Sequence, residues 1–492
     1  MEITDKHESY EANAIKWQFL SRSFLGGDDY RDGQYLLQYI LEDKDEYAKR
    51  LSMTPIDNHC KNVISIYSSF LWRLPPTRNF GSLAKDQGLV DFLKDADLDG
   101  RGLNQFMSDA QMWSGVYGHV WVIMDKPAVV AQTKADELQQ KIRPYVTLIT
   151  PDNVLDWEYT RAVNGRYELS MLKVIEDVTG DKSLIRVWEA DTIKSYEVEG
   201  EDVNLLSSIV NPLGVVPAVC LYGNRSNVRG IGQSDISDVA YMQRAIYNEL
   251  SEIEQLIRIS NHPSLVKSET TTAGAGAGSV IDVAEHEEFK PYLLQPSGGN
   301  LDAIRASITD KVEAINRMTH MGAVRATDAQ TKSGVALQTE FQLLNAKLAE
   351  KADLLELAEV GLWDLFCAWQ GIPPQTTEQI TIDYPDSFDL RDASSDLEFL
   401  QKARASGVPS QRFNKGVDKL IAELVLDDLD LAEAYKEIDA GGDMDRGFEK
   451  GQIYKYHIDG GVVTQNEARN DLGLTPMAGG DVVAKPQAVA AE

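Results

Sequence analysis

The feature that most constrains the fold is a run of about 36 residues without proline, from Ser333 to Trp369. Apolar side chains recur along it at helical spacing: Leu337, Phe341, Leu344, Leu348, Leu355, Leu362, Phe366 and Trp369. At 1.5 Å per residue, this helix would be roughly 55 Å long. The average helix has only three turns. The run therefore predicts a spine that spans a large assembly, or a coiled-coil-like arm.

Two further long helices are predicted before this run. Residues 234–260 repeat apolar side chains near the heptad spacing until His262-Pro263 ends the pattern. Residues 300–319 form another amphipathic pattern. The stretch from Thr270 to Ser279 between them consists only of threonine, alanine, glycine and serine, which favours a loop over a packed element.

The periodicity changes between residues 116 and 222. Short runs rich in β-branched and aromatic residues alternate there with Gly, Asn, Asp and Pro. The predicted strands are 116–124, 145–150, 167–174, 184–188 and 215–222. Helical patterns dominate before this region and also after a short strand at 380–384. We therefore predict an α+β fold that is predominantly helical, with a mainly antiparallel β region.

Local capping signals predict three helix starts. Thr54 is suited to an N-cap, with Pro55 at the first helical position. Ser395 with Glu398, and Thr464 with Glu467, have the spacing of capping boxes.

The charge balance is strongly acidic. The 492 residues contain 77 Asp and Glu against 48 Lys and Arg, a formal charge of −29. A protein that binds DNA by broad phosphate neutralisation carries the opposite sign, and basic-patch binding to membranes is disfavoured for the same reason. Residues 203–224 lack charge but contain Asn and Pro, which favours strands and turns over a spanning helix. We expect a soluble protein with no membrane partner.

Motifs for catalysis or metal binding are missing from the sequence. The cysteines are Cys60, Cys220 and Cys367. They form no CxxC pair, the seven histidines form no HExxH, and neither a phosphate loop nor a GxSxG elbow occurs. The segment Asp95–Gly100 resembles half of a calcium loop, but Phe106 stands where the bidentate glutamate is needed. We predict no metal, no cofactor and no enzymatic activity.

One enzymatic alternative stays open at this point. Scattered carboxylates such as Asp152, Asp156 and Glu158 could assemble a metal-dependent site. Bound divalent metal in the purified protein would support that alternative.

The order of elements resembles the portal proteins of tailed double-stranded DNA bacteriophages, over nearly the whole chain. The order is helices, a β region, a long helix, a glycine-rich excursion, a helix, a small-residue loop, a very long helix and a helical end. The local segments that carry the resemblance are Tyr47–Leu51, Asn58–Lys61, Phe70–Pro76, Tyr117–Asp125, Pro151–Trp157 and Ser333–Gln338.

The resemblance implies a portal fold with wing, stem, clip and crown. The implied ranges are 1–233 for the wing, 234–261 and 300–319 for the two stem helices, 262–299 for the clip, 320–333 for the tunnel loop, 334–390 for the spine helix and a wing strand, 391–477 for the crown, and 478–492 for a disordered tail.

The resemblance also implies a function. Portals are rings, usually dodecameric, at one capsid vertex of the virion, and double-stranded DNA passes through them without sequence recognition. The implied partners are further copies of the chain, the terminase large subunit, head–tail adaptors, and the major capsid and scaffolding proteins. Another phage structural or adaptor protein, working as a monomer or dimer, is the second alternative.

Four cations are candidate DNA contacts around the implied tunnel loop. They are Arg317, His320, Arg325 and Lys332. Rings of such residues could touch phosphates without reading sequence. Equally, Arg325 and Lys332 could pair with nearby carboxylates such as Asp328.

The glycine-rich excursion is the candidate partner-binding site of the implied clip. Its residues are Thr270, Thr271, Thr272, Gly274, Gly276, Gly278 and Ser279. We expect this loop to become ordered on contact with terminase or an adaptor. Deleting residues 272–278 is then expected to weaken adaptor binding and leave ring assembly intact.

Overall fold

A computed structural model of the chain describes most of its residues. The described residues are 3–127, 134–261, 264–266, 292–294, 299–322, 324, 334–373, 380–388, 393–406, 408, 410–425, 428–440, 464, 466–467 and 481. The chain divides into two compact units, Met1–Asp389 and Leu390–Glu492.

Ten of the described helices lie in the first unit. They are α1 Glu8–Leu25, α2 Gly27–Asp32, α3 Lys44–Met53, α4 His59–Leu71, α5 Gln87–Lys94, α6 Leu103–Tyr117, α7 Lys134–Gln139, α8 Ser237–Asn261, α9 Gly299–Met318 and α10 Gly334–Gln370. The second unit contains α11 Ala393–Ala405, α12 Gln411–Val425 and α13 Asp428–Ala440.

The described strands of the first unit form four antiparallel sheets. The strands are β1 Thr77–Asn79, β2 His119–Asp125, β3 Tyr145–Ile149, β4 Val154–Arg161, β5 Tyr167–Thr179, β6 Lys182–Glu189, β7 Thr192–Glu199, β8 Asp202–Val210, β9 Ala218–Tyr222, β10 Ser264–Val266, β11 Tyr292–Leu294 and β12 Thr381–Asp383. The orders are β3-β2-β9, β4-β5-β6-β7-β8, β1-β12 and β10-β11. The expected α+β character and antiparallel pairing are confirmed.

Strands β1, β4, β7 and β10 lie where the sequence predicted none, and β8 lies mostly in residues 203–224, for which it predicted strands and turns without giving bounds. Strand β8 is exposed along its whole length, so no alternation of apolar and polar residues marks it. A meander pairs neighbouring strands through short turns, and this pairing extends the sheet over residues with weak individual patterns.

The long run predicted as a helix is α10, which has 37 residues. Its buried face packs into the main core, with Leu348, Leu355, Leu362 and Phe366 nearly inaccessible to solvent. Within the described residues, α10 is therefore a spine of the first unit and not a projecting arm. A second cluster around Trp121, Trp157 and Trp188 joins the three-stranded sheet to the five-stranded sheet.

Two of the three predicted helix starts were wrong. Thr54 ends α3, and its hydroxyl donates to the carbonyl of Arg50, whereas the side chain of Asn58 caps α4. The helix near Ser395 begins earlier, at Ala393. The capping box of Thr464 and Glu467 is present, because each side chain accepts from the backbone N–H of the other residue.

Candidate functional site

Helices α8 and α9 pair as a hairpin in the first unit. The carboxylate of Glu249 on α8 accepts from Lys311 Nζ at 2.7 Å and from Ser307 Oγ at 2.8 Å, both on α9. Strands β10 and β11 pair just beyond the far ends of the two helices. The hairpin and its small sheet therefore bring together the two ends of the 267–291 segment.

Burial divides this hairpin into a root and a distal half. At the root, Val239, Ile246 and Tyr247 on α8 and Ile315 on α9 are buried in the main core. The residues of 252–261 and 300–314 whose burial is described are all half-buried or exposed. The buried residues lie at the beginning of α8 and at the end of α9. The chain therefore leaves the core along α8 and returns to it along α9.

The distal half keeps an apolar seam. Ile253, Leu256, Leu301 and Ile304 are half-buried, and Ile257 is 37% exposed. Two paired helices cannot enclose such residues on all sides, so apolar surface stays accessible along the hairpin. The distal hairpin is thus a surface suited to lateral contact with other chains.

A close backbone crossing fixes the root of the hairpin. Gly118 has φ +97°, and a Cβ there would lie 2.6 Å from the carbonyl oxygen of Gly232. Only glycine combines this left-handed backbone with so close an approach. We call the residues around this crossing the junction: 115–119, 222–224, 232–235 and Lys351.

A buried ion pair ties α10 to the junction. Lys351 Nζ lies 2.5 Å from a carboxylate oxygen of Asp235 and donates to the carbonyl of Gly223 at 3.0 Å, and both side chains of the pair are 2% exposed. Burial lowers the pKa of Lys351 from its ordinary value, while Asp235 acts in the opposite direction. A charge buried this deeply needs its partner, so the pair fixes the position of α10.

A second buried network holds α10 at Glu359, about two helical turns beyond Lys351. Glu359, fully buried, accepts from Tyr384 Oη at 2.6 Å, from Trp363 Nε1 at 3.0 Å and from the guanidinium of Arg78. Burial raises the pKa of the Tyr384 hydroxyl, which therefore remains a donor. This network connects α10 to the sheet formed by β1 and β12.

Sequence analysis missed both networks, although a signal was present. Lys351 and Glu359 fall between Leu348, Leu355 and Leu362 at spacings of three and four residues. A charged residue within an apolar helical stripe is buried with the stripe, so it requires a partner.

Two of the four predicted DNA-contacting cations are described, and they lie together at the end of α9. Arg317 is 71% exposed, and a carboxylate oxygen of Glu313 lies 3.9 Å from its Nη1. His320 is half-buried with φ +56°, and the N–H of the next residue, Met321, donates to the carbonyl of Asn316 at 2.9 Å. This is the Schellman arrangement, here with histidine at the position where glycine is usual.

The other predicted site residues lie outside the described residues. They are Arg325, Lys332 and the clip residues Thr270, Thr271, Thr272, Gly274, Gly276, Gly278 and Ser279. Most of the 478–492 tail also lies outside them.

The scattered carboxylates of the enzymatic alternative are engaged separately. Asp156 is buried 3.7 Å from Lys173 Nζ, whereas Asp152 accepts from the Tyr117 hydroxyl at 3.1 Å. Among the described residues, no group of three or more His, Cys, Asp or Glu is arranged to hold a metal ion. In the calcium-like turn, Asp95 and Asp97 pair with Arg143 and Arg101.

No helix in the described part of the chain is both long and apolar enough to cross a bilayer.

Comparisons with known proteins give structural similarities only. The chain matches no protein-family model and no curated protein sequence. Its backbone is similar to a chain in the neck of an empty GTA particle computed with C6 symmetry, with a TM-score of 0.44 and 11% identity over 80% of this chain and 98% of that chain.

Two further structures are similar at a comparable level. One is a chain in the virion of a native gene transfer agent (GTA) particle, with a TM-score of 0.41 and 10% identity over 81% of this chain and 98% of that chain. The other is from the neck of a native GTA particle computed with C12 symmetry, with a TM-score of 0.40 and 13% identity over 75% and 89%. At these scores the likeness assigns neither function nor partners to this chain.

Proposed function

We propose that this chain is a portal protein of a phage-like particle. Identical copies form a ring at one capsid vertex, and double-stranded DNA passes through it during packaging and ejection. The ring has no enzymatic activity, and a separate ATPase chain drives translocation.

The observation that carries the proposal is the distal half of the α8–α9 hairpin. Its seam of Ile253, Leu256, Leu301 and Ile304 is incompletely covered within one chain. Packing side by side against the hairpins of neighbouring copies would cover it. Contacts between unlike faces of identical chains close into a ring when the rotation per subunit permits.

The net charge favours a channel through which DNA slides rather than a protein that binds DNA tightly. Twelve copies carry a formal charge of about −350, which opposes tight binding of phosphates along a channel. Arg317, exposed at the end of α9 and weakly paired, would supply one ring of cations for intermittent phosphate contact.

The proposal also assigns partners to two surfaces of the ring. The excursion 262–299 would contact the terminase large subunit during filling and head–tail adaptors afterwards. The outer surface of the ring would contact the major capsid and scaffolding proteins.

Particle mass and shape test the proposal. Twelve copies of a 54.6 kDa chain give a ring of about 655 kDa, with a central hole visible in negative stain. A mass that stays at one or two chains over a range of protein and salt concentrations would contradict it.

A further inference from the structure

An apolar loop, Leu37–Leu41, projects from the first unit beside α8. Its sequence is Leu-Gln-Tyr-Ile-Leu. Ile40 is 101% exposed and Leu41 is 97% exposed, so neither side chain contributes to the core. Single exposed aliphatic residues are common, but two adjacent ones with complete exposure need a structural reason.

A buried ion pair holds this loop in place. Arg50, 3% exposed, donates from Nε and Nη2 to the two carboxylate oxygens of Glu42 at 2.6 Å each. The same guanidinium donates to the carbonyl of Leu37 at 2.6 Å and to Ser251 Oγ at 3.0 Å, and it stacks 4.1 Å from the Tyr39 ring. One side chain thus links the loop to α3 and α8.

Two more contacts fix the loop on α8. The N–H of Leu37 donates to Asn248 Oδ1 at 2.8 Å, and the Tyr39 hydroxyl donates to Glu252 Oε1 at 2.5 Å. The loop is therefore ordered before it meets any partner. Such preorganisation lowers the entropy lost on binding, which suits a loop that inserts into another surface.

A groove of about 440 Å³ on the outer face of α4 is a suitable acceptor. Its lining includes Ile66, Phe70 and Val324, together with Lys61, Ser65 and Ser69. The loop and the groove have no residue in common. Their contact between two copies would be heterologous, as ring closure requires.

The charges of the two surfaces are complementary. Residues 43–46, next to the loop, carry three exposed carboxylates and one exposed lysine, whereas the Glu42 carboxylate is already paired with Arg50. Residues 58–85, which include α4, contain no carboxylate in a chain with 77 of them, and exposed Lys61 lines the groove. Acidic loop and basic groove therefore attract each other, whereas two loops or two grooves do not.

We propose that the apolar loop of one copy inserts into the α4 groove of a neighbouring copy. Ile40 and Leu41 would cover Ile66 and Phe70, with Lys61 facing the carboxylates of residues 43–46. This inference rests on the proposed ring and identifies one contact that builds it.

Assembly of the full chain provides the first test. The double variant Ile40→Asp/Leu41→Asp is expected to lose the ring mass and remain a single chain that is folded, as its far-UV circular dichroism would show, because both side chains are already exposed. Val163→Asp, at a residue that is 110% exposed in the β4–β5 turn, is the matched control and is expected to keep the ring. A double variant that still forms rings would overturn the proposal.

Cross-linking separates the possible pairings. When Leu41→Cys chains and Ser65→Cys chains are mixed and oxidised, a disulfide-linked dimer is expected on a non-reducing gel, and neither variant alone should give one. A dimer from Leu41→Cys alone would mean that two loops meet, which contradicts the proposal. Absence of a dimer from the mixture also contradicts it.

The two proposals can fail separately. If the wild type forms rings, Ile40→Asp/Leu41→Asp forms them too and the cysteine mixture gives no cross-link, the loop contact is excluded and the portal function still stands. A wild-type chain that never forms rings, at concentrations where the cross-linking mixture also stays monomeric, would remove both.

Discussion

Long helices run through both the junction and the distal hairpin, but the side chains of the two regions find their contacts differently. At the junction, Lys351 of α10 has its carboxylate and carbonyl partners within the same chain. In the distal hairpin, Ile253 and Ile304 are only half-buried. The first region is complete in a single chain, whereas the second has surface left for contact with other chains.

This difference separates folding from assembly. A buried charge must be paired when the chain folds, since leaving it unpaired costs several kcal/mol. A partly exposed apolar seam lowers the stability of a single chain only slightly, and its burial by a neighbour contributes favourable free energy to association. Substitutions at the junction should therefore act on stability, and substitutions in the hairpin mainly on association.

The largest expected effect is at the buried pair. Lys351→Met leaves Asp235 buried without its cation, so the free energy of unfolding is expected to fall by about 3–5 kcal/mol. Denaturant unfolding of the variant measures this loss. Glu350→Gln, on the same helix with a 60% exposed side chain, is the control, and its free energy of unfolding should stay within about 0.5 kcal/mol of the wild-type value.

A double substitution sharpens this test. Replacing both partners, as Lys351→Met/Asp235→Leu, removes the unpaired carboxylate and is expected to recover part of the loss. If Lys351→Met unfolds like the wild type, the pair does not hold α10 and the contrast with the hairpin fails.

A smaller effect is expected from His119, which is fully buried at the junction. Burial lowers the pKa of His119 to about 3, well below the value of about 6.5 for an unfolded chain. Between these values only the unfolded state binds the proton, so stability falls as the pH falls below 6.5. At pH 5 the loss relative to neutral pH is about 2 kcal/mol.

Urea unfolding at pH 7 and pH 5 measures this loss. The His119→Gln variant keeps an acceptor for the N–H of Gly232 but has no imidazole to titrate. It is expected to lack this part of the pH dependence. Equal pH dependence in the two proteins would show that His119 is accessible to protons in the folded state.

The smallest effect on folding is expected in the distal hairpin. Ile304→Ser removes a half-buried side chain and should lower the free energy of unfolding of the single chain by about 1 kcal/mol. The same variant should weaken ring assembly more strongly than the exposed control Ala303→Ser. A loss of 3 kcal/mol or more in the single chain would show that the seam is already covered without neighbours.

Hydrophobic periodicity predicted the elements with strong patterns. The boundaries of α8, α9 and α10 lie within three residues of the predicted ones, because long helices repeat their apolar face many times. Strand β8 gave no such signal, since its side chains face solvent on both sides. Thr54 illustrates a local error: a threonine before a proline suits an N-cap, but its hydroxyl instead closes the end of α3.

Only part of the candidate site could be predicted from the sequence. Arg317 and His320 were selected for their charge and their place beside the implied tunnel loop, and the structure places both at the end of α9. The exposure of Ile40 and Leu41 could not be read from an apolar pentapeptide, which is equally typical of a core strand.

The sequence by itself determined the acidic charge, the three long helices and the antiparallel character of the β region, because charge and periodicity are local properties. Only the tertiary structure decided that Lys351 meets Asp235, 116 residues away in the chain, and that Arg50 holds the apolar loop on α8. Such pairings depend on which distant segments the backbone brings together, and no local pattern records that.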